Sequence, residues 1–543
     1  MQFYTNVFPF GDKMFVRGYD NGRAFNRKID FFPTLYVPSK KDSAWRTLEG
    51  TVIDEIKPGT VKETREFVKR YENVDGFDIY GNTNYVCQYI SDTYESDIRF
   101  DMENIRVFSI DIETATEDGF PDIKAANEEV LLITIKDSQS KQIVTFGSRP
   151  YENKRSDVKY IQCNNELHLL KEFIIFWQQN YPDVITGWNT EFFDIPYLYY
   201  RIKKVLGESL ANTLSPIGKI KFTPQFPEQP VNLGGINHLD YMLLFKKFIT
   251  KQEPSYRLGD IGKKYAKLEK IEYQGSLDKL FKEDIHTFIE YNLRDVEIIV
   301  ELEQRLKFIE LTVTIGHLCH TEYEAIYFST MLNEGAILTY LKRKGIVSPN
   351  KPTTYNPALK TLQEEYAGGY LKDPTPGLYE WVIDLDFTSL YPSIIRSLNM
   401  GIETLVGRVV NRGKFDNQWS LKELKSMNPD TVVTIEKVKK DRRLSHTQIS
   451  VGDLISIIEE NDFIISAPGV IFRKDKSSVV CEILADWFAK RQEYKKLMKK
   501  AYKEDNDPVM GSFYDRRQHA YKIKLNDVYG VFAINGWRYT DGN

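Results

Sequence analysis

The stretch Arg106-Val-Phe-Ser-Ile-Asp-Ile-Glu113 decides how this chain is read. Apolar residues alternate in it with small or acidic ones, which is the period of a strand. Asp111 and Glu113 then share one face, while Phe108, Ile110 and Ile112 occupy the other. Two carboxylates on one strand face are expensive to bury unless a cation neutralises them. Around this stretch the chain alternates strands with helices: VLLITIKD, KQIVTFG, a helix near LHLLKEFIIFWQQN, the strand DVITGW and the helix IPYLYYRIKKVLG. That order predicts an α/β domain.

Further acids follow at meaningful places. Asp194 lies in Asn189-Thr-Glu-Phe-Phe-Asp-Ile-Pro, between the DVITGW strand and a helix. Asp295 ends Tyr291-Asn-Leu-Arg-Asp295, inside a long helical pattern from Lys282 to about Leu318. There the i,i+4 spacing puts Tyr291 and Asp295 on one helical face. Hard oxygen ligands from several elements suit paired Mg²⁺ or Mn²⁺ ions, which activate a water and stabilise the leaving oxygen in phosphodiester cleavage. A D-x-E strand alone is most often a solvated edge. The order and spacing of all these acids carry the signal.

Composition sets the frame. With 543 residues, 42% hydrophobic and 28% charged, the chain reads as about three to five globular domains rather than a disordered polymer. No run of about 18 apolar residues could span a bilayer, and MQFYTNVFPFGDK lacks a secretory pattern. Cys87, Cys163, Cys319 and Cys481 form no C-x-x-C pair, which fits a reducing cytoplasm and no structural zinc. A net charge of −4 means that any polyanionic partner needs a local basic surface. Among 33 Tyr and 32 Phe most should be core, and some could stack on bases.

The flanking regions add elements. Before residue 106 come strand-like KMFVRGYD and TLYVPS and a helix over Val61–Tyr71. SPNKPTTYNP at 348–357 is the best linker candidate, and a β-rich portion follows it (EWVIDLDF, TLVGRVV, TVVTIEKVKK). In Asp384-Leu-Asp386-Phe-Thr-Ser-Leu-Tyr-Pro-Ser-Ile-Ile395 a strand is expected to lead into Asp386, with Ser389, Leu390 and Tyr391 on a tight turn. The final part is helical from about Ser477 to Gly530, broken near Asp505–Gly511. Lys490–Lys503 holds seven Lys/Arg, with Arg491 and Lys495 at i,i+4, although most such helices are merely solvated. Lys522, Asn526 and Tyr529 fall on one helical stripe. A cation, an amide and a ring on one stripe suit a triphosphate, a sugar and a base.

These segments resemble the motifs of family B DNA polymerases. The three acidic segments look like those of the family's DEDDy 3′–5′ proofreading exonucleases. The resemblance implies that Asp111, Glu113, Asp194 and Asp295 hold two metal ions and that Tyr291 and Glu113 orient the attacking water. Asn189 and Phe193 match the flanks of the second motif. D-F-x-S-L-Y-P-S-I-I resembles motif A, which implies metal binding by Asp386 and a backbone grip on the incoming triphosphate along Phe387, Ser389 and Leu390. Tyr391 would pack under the sugar and reject ribonucleotides. Lys522, Asn526, Tyr529 and Gly530 resemble motif B, with Asp527 where Ser is usual. Arg491 and Lys495 match the partner fingers helix that contacts phosphates. Tyr366-Ala-Gly-Gly369 resembles the family's Y-x-G-G loop, so Tyr366, Gly368 and Gly369 join Asn189, Phe193 and Gly530 as expected DNA contacts. ISDTYESD, TGWN, SPIGK and LDYMLLFKKF resemble the replicative polymerases of T-even-type phages, which implies the cytoplasm of an infected bacterium.

The implied fold is mixed α+β: an N-terminal domain (1–106), an RNase H-like exonuclease domain (107–312) and a helical segment with linker returning to the N-terminal domain (313–357). A partial palm (358–477), fingers (478–533) and the start of a second palm segment (534–543) follow. The family's second palm acid, in a D-T-D-S hairpin, has no match; Ser91-Asp-Thr-Tyr and Tyr539-Thr-Asp541-Gly are the nearest strings. The expectation is therefore the N-terminal part of a replicative polymerase, either one half of an enzyme encoded in two pieces or a truncation of a longer polypeptide, acting on primer-template and single-stranded DNA with dNTPs and needing a C-terminal part, through which a sliding clamp would be engaged. A stand-alone 3′–5′ exonuclease and a non-catalytic DNA-binding subunit remain as alternatives.

Overall fold

A strand inside a sheet has neighbours on both edges, and Val107–Thr114 has them: Val130–Asp137 lies antiparallel on one side and Val184–Thr186 parallel on the other. The computed structural model describes the chain except residues 72–73, 75–76, 95–97, 116–120, 141, 223–231, 250, 349, 351–371, 388, 411–418, 439–443, 533, 535–536 and 539–543. Two compact units divide it. The first comprises Met1–Pro33, Gly59–Thr64 and Asn84–Tyr327; the second comprises Thr34–Pro58, Arg65–Thr83 and the chain from Phe328 onward.

In the first unit a six-stranded sheet runs in the order Val158–Gln162, Ile143–Gly147, Val130–Asp137, Val107–Thr114, Val184–Thr186, Asn237–His238. Its apolar faces explain its layers. Phe108, Ile110 and Ile112 pack with Phe173 and Trp177 of helix Glu166–Gln179 and Leu198 and Ile202 of helix Asp194–Leu206. On the opposite face Leu132, Ile143 and Val158 meet Phe288, Ile289 and Leu293 of helix Ile285–Leu306. Strand alternation thus sends Asp111 and Glu113 toward that second helix.

An antiparallel meander, Gln2–Phe10, Lys13–Asp20 and Arg23–Asp30, leads the unit. Buried Asp183 ties it to the sheet, accepting from Thr5 Oγ1 at 2.8 Å, Tyr19 OH at 2.7 Å and the Arg106 amide at 3.0 Å. The helical pattern beginning at Lys282 resolves into Leu277–Glu283, Ile285–Leu306 and Phe308–Cys319. Asp284 caps the second of these through the Thr287 amide, and Lys307 breaks the run with φ +57°.

The second unit holds a five-stranded antiparallel sheet, in the order Leu444–Ser450, Val432–Val438, Leu405–Val409, Val470–Phe472, Ile464–Ile465. Helices Val479–Lys503 and Pro508–Phe532 are each 25 residues long and pack along one another. The stretch 381–387 departs from expectation, since it forms no strand. Among the described residues nothing pairs with it, and an apolar run without a ladder partner has nothing to hold it extended. Ser389 takes φ +53° and caps helix Leu390–Leu398, so Leu390 and Tyr391 are helical rather than part of a turn.

Candidate active sites

Three of the four predicted acids converge. Asp111 and Glu113 from the central strand and Asp295 from helix Ile285–Leu306 each offer a carboxylate oxygen, and these oxygens lie within 4.8 Å of one another. Asp194, the first residue of its helix, stands beside them with Oδ1 accepting from the Ile112 amide at 3.0 Å. Close approach here depends on Gly187, where a Cβ would fall 2.5 Å from the Ile110 carbonyl oxygen. Asp111 and Asp295 line a cleft of about 460 Å³ whose other walls include Trp188, Arg257 and Lys270.

Crowding and burial disfavour ionisation of all four together. Burial, then repulsion by Asp194, Asp295 and Glu113, raises the Asp111 carboxyl well above its usual range. Glu113 is pushed up to about 8 by burial and by Asp295. Asp194 reaches about 7 by burial, moderated by the Ile112 amide, and Asp295 about 6, moderated by Lys270. Asp295 Oδ1 is buried without a hydrogen-bond partner. Oxygen-only ligands, mutual repulsion and an orphaned carboxylate oxygen together fit a hard divalent cation.

Two neighbours were missed by reading the sequence. Lys270 Nζ donates to Asp295 Oδ2 at 2.5 Å and to Tyr291 OH at 2.9 Å, and sits 4.7 Å from the Tyr291 ring centroid. Asn292 Nδ2 donates to Asp111 Oδ2 at 2.6 Å. Asn292 had a signal, because it is an amide in an otherwise apolar stripe with Phe288, Ile289, Val296 and Ile299. Lys270 had none, sitting in an irregular loop among other lysines. The Tyr291 hydroxyl is pushed up to about 12 by burial and by Asp295. Asn189 holds a left-handed turn (φ +67°) whose carbonyl accepts from the amides of Phe192 and Phe193. Phe193 precedes the Asp194 helix and stacks toward Tyr197.

The second acidic site looks different. Asp386 lies on an exposed stretch in which Trp381, Ile383, Leu385 and Phe387 are 95%, 80%, 87% and 77% accessible. The predicted stripe on helix Pro508–Phe532 does form, with Lys522, Asn526, Tyr529 and Gly530 all exposed. Tyr529 stacks face to face on Tyr391, with centroids 4.6 Å apart and planes 4° apart. Lys495 is pushed down by desolvation and by the charges of Arg491, Lys499 and Lys522, so these cations share one field. Tyr366, Gly368, Gly369 and Asp541 lie outside the described residues.

Comparisons with known proteins fit this division. Residues 65–261 match the exonuclease domain of DNA polymerase family B, and residues 325–537 match DNA polymerase family B itself. The helix carrying Tyr291 and Asp295 falls between the two matched spans. Similar relatives include the DNA-directed DNA polymerases of Escherichia phage RB69 (31% identical, covering 75% of this chain and 48% of the relative) and Enterobacteria phage T4 (29%, 75% and 48%). The DNA polymerase catalytic subunit of human herpesvirus 6B is 24% identical over 96% of this chain and 50% of its own. This chain therefore spans about half the length of the curated relatives it matches. With two domain matches to one family on a single polypeptide and relatives aligned across most of it, the chain belongs to DNA polymerase family B.

Proposed function

We propose that this chain is the N-terminal part of a replicative DNA-directed DNA polymerase, with 3′–5′ proofreading excision built here and nucleotide addition completed elsewhere. In this reading residues 107–312 form the exonuclease domain, 358–477 part of the palm and 478–533 the fingers. One observation carries it: Asp111, Glu113 and Asp295 meet beside Asp194, and Asp111 and Asp295 line an open cleft. These four carboxylates would hold two Mg²⁺ or Mn²⁺ ions, which when bound supply activation of water and stabilisation of the leaving oxygen.

The chain's own groups do the positioning. Asn292 fixes Asp111, and Lys270 fixes Asp295 while holding the Tyr291 oxygen. Tyr291 keeps its proton at neutral pH and so can donate to a water, and the neighbouring Glu113 would accept from it once bound cations favour its ionised form. On the second unit, Arg491, Lys495 and Lys522 supply positive charge for a dNTP triphosphate, and Tyr391 supplies the sugar contact. Asp386 by itself would leave a two-metal site short of ligands. Leaving Leu378, Trp381, Val382, Ile383, Leu385 and Phe387 in water forgoes on the order of 10 kcal/mol of burial. We assign that stretch to pairing with a C-terminal polypeptide that carries the second acid, and any clamp contacts to the same part. The phage relatives make a bacterial cytoplasm the expected compartment.

The test is release of 3′ mononucleotides from single-stranded DNA by this chain. Activity should require Mg²⁺, vanish with chelator, and fall on the order of 10³-fold or more in Asp111→Ala/Glu113→Ala. Equal rates in wild type and double variant would sink the assignment.

A further inference from the structure

Strand Leu444–Ser450 ends its five-stranded sheet, and among the described residues no strand pairs with its outer side. The register decides which backbone groups face outward. One step beyond the paired strands, the Val451 amide donates to the Thr431 carbonyl at 2.8 Å. Hydrogen-bonded pairs recur at every second residue of an antiparallel ladder, so Ser445, Thr447 and Ile449 bond the inner neighbour. From the far side the Val410 amide reaches the Thr434 carbonyl at 2.8 Å, as the same pattern requires of the residue opposite Gln448. The backbone groups of His446 and Gln448 therefore point away from the sheet, and both residues are exposed.

Natural edge strands are guarded by charge, proline, a bulge or short length. Other edges of this molecule are guarded in these ways. Arg23–Asp30 carries Arg23, Arg27, Lys28 and Asp30, Val158–Gln162 carries Lys159, Leu35–Pro38 ends in proline, and Ile464–Ile465 is two residues long. Gln2–Phe10 is buried and its register shifts between Tyr4 and Asn6. Leu444–Ser450 is seven residues long and regular in its pairing, without Lys, Arg, Asp, Glu or Pro. Its titratable side chain, His446, is matched inside the sheet: Nε2 lies 3.0 Å from Glu436, which accepts from Arg408 at 2.7 Å. The core is also unfinished at this edge, since Ile449 and Ile455 pack against the cluster of Val433, Leu454 and Ile458 yet stay half-buried.

We propose that a second copy of this chain covers the edge, the two Leu444–Ser450 strands pairing antiparallel about a two-fold axis at Thr447. Self-complementarity selects that occupant. Of the symmetric registers, only the one centred on Thr447 overlaps all seven residues. It sets each His446 opposite a Gln448, joined through their outward backbone groups, and Thr447 opposite Thr447, with no like charges facing. A two-fold perpendicular to the sheet keeps helix Val451–Glu460 of both copies on one face, so each added strand extends the core beside Ile449 and Ile455. One strand pair is a small contact, so the dimer is weak and concentration-dependent. The proposal needs neither reading of the acidic sites. Sedimentation equilibrium of the full chain, from micromolar to sub-millimolar concentration, tests it. Thr447→Lys and Thr447→Glu, both at an exposed position, should each weaken association on the order of tenfold or more by setting like charges on the axis. An equimolar mixture of the two variants should restore it. Hydrogen exchange gives a second readout: raising the wild-type concentration should protect the amides of His446 and Gln448 and leave that of Thr447, already bonded within the sheet, unchanged. A chain that stays monomeric throughout the range would overturn the proposal. So would undiminished association in both charged variants, which would place the contact elsewhere, as at the apolar stretch 378–387. A mixture that associates no better than either variant alone would equally overturn pairing about Thr447.

Discussion

The stretches Val107–Thr114 and 381–387 carry similar local patterns, apolar residues interrupted by two acids, and they end in opposite conditions. In the first, strands on both edges and helices on both faces bury the apolar residues and press Asp111 and Glu113 against Asp295. In the second, the same kind of residues stand in water and Asp386 faces solvent. The difference teaches that strand character belongs to a residue's neighbours as much as to the residue. It also separates two meanings of an acidic motif. The first is a site whose carboxylates already perturb one another; the second is a ligand awaiting its partners.

The largest expected effect would break this contrast outright. Alone, the chain should show no primer extension, whereas co-expression with a polypeptide covering the second half of its relatives should give extension and protect 378–387 from hydrogen exchange. Extension by the chain alone would refute the division between a built site and an unbuilt one. Within such an assembly, Tyr391→Ala should admit ribonucleotides by removing a clash, lowering dNTP-over-rNTP discrimination ~10²-fold. Unchanged discrimination would show that Tyr391 is not the sugar gate.

Smaller effects sharpen the picture of the built site. Lys270→Ala and Asn292→Ala should each reduce excision ~10–100-fold, the usual cost of losing a group that orients a ligand. Neither should change nucleotide selection in the assembled enzyme. Wild-type excision in both variants would mean that the acids orient themselves.

The smallest effect is a pH-dependent thermal shift. Carboxyls raised to about 8, 7 and 6 in the fold, against about 4 unfolded, bind more protons when folded. They therefore cost stability progressively as pH rises from about 4 toward 8. A divalent ion competes with those protons, so Mg²⁺ should raise the melting temperature more at pH 8 than at pH 6. Asp111→Ala/Glu113→Ala should flatten that difference, and Asp386→Ala should leave it intact. Equal Mg²⁺ shifts at both pH values would disconnect the cluster from metal binding.

Legibility in the sequence tracked the range of the interaction. Period two placed Asp111 and Glu113 on one face, and period 3.6 placed Tyr291 with Asp295 and Lys522 with Asn526 and Tyr529, because those relations are fixed by backbone geometry within a few residues. The two long helices at 479–503 and 508–532 were readable for the same reason. What the tertiary structure decided were the meetings across distance. It chose Lys270 from among several loop lysines to hold Asp295, brought Asn292 to Asp111 across 181 residues, stacked Tyr391 on Tyr529, and set Leu444–Ser450 at the outer edge of its sheet. It also withheld a strand at 381–387, whose local pattern asked for one, because hydrogen-bonded neighbours are supplied by the fold and cannot be encoded in the segment itself.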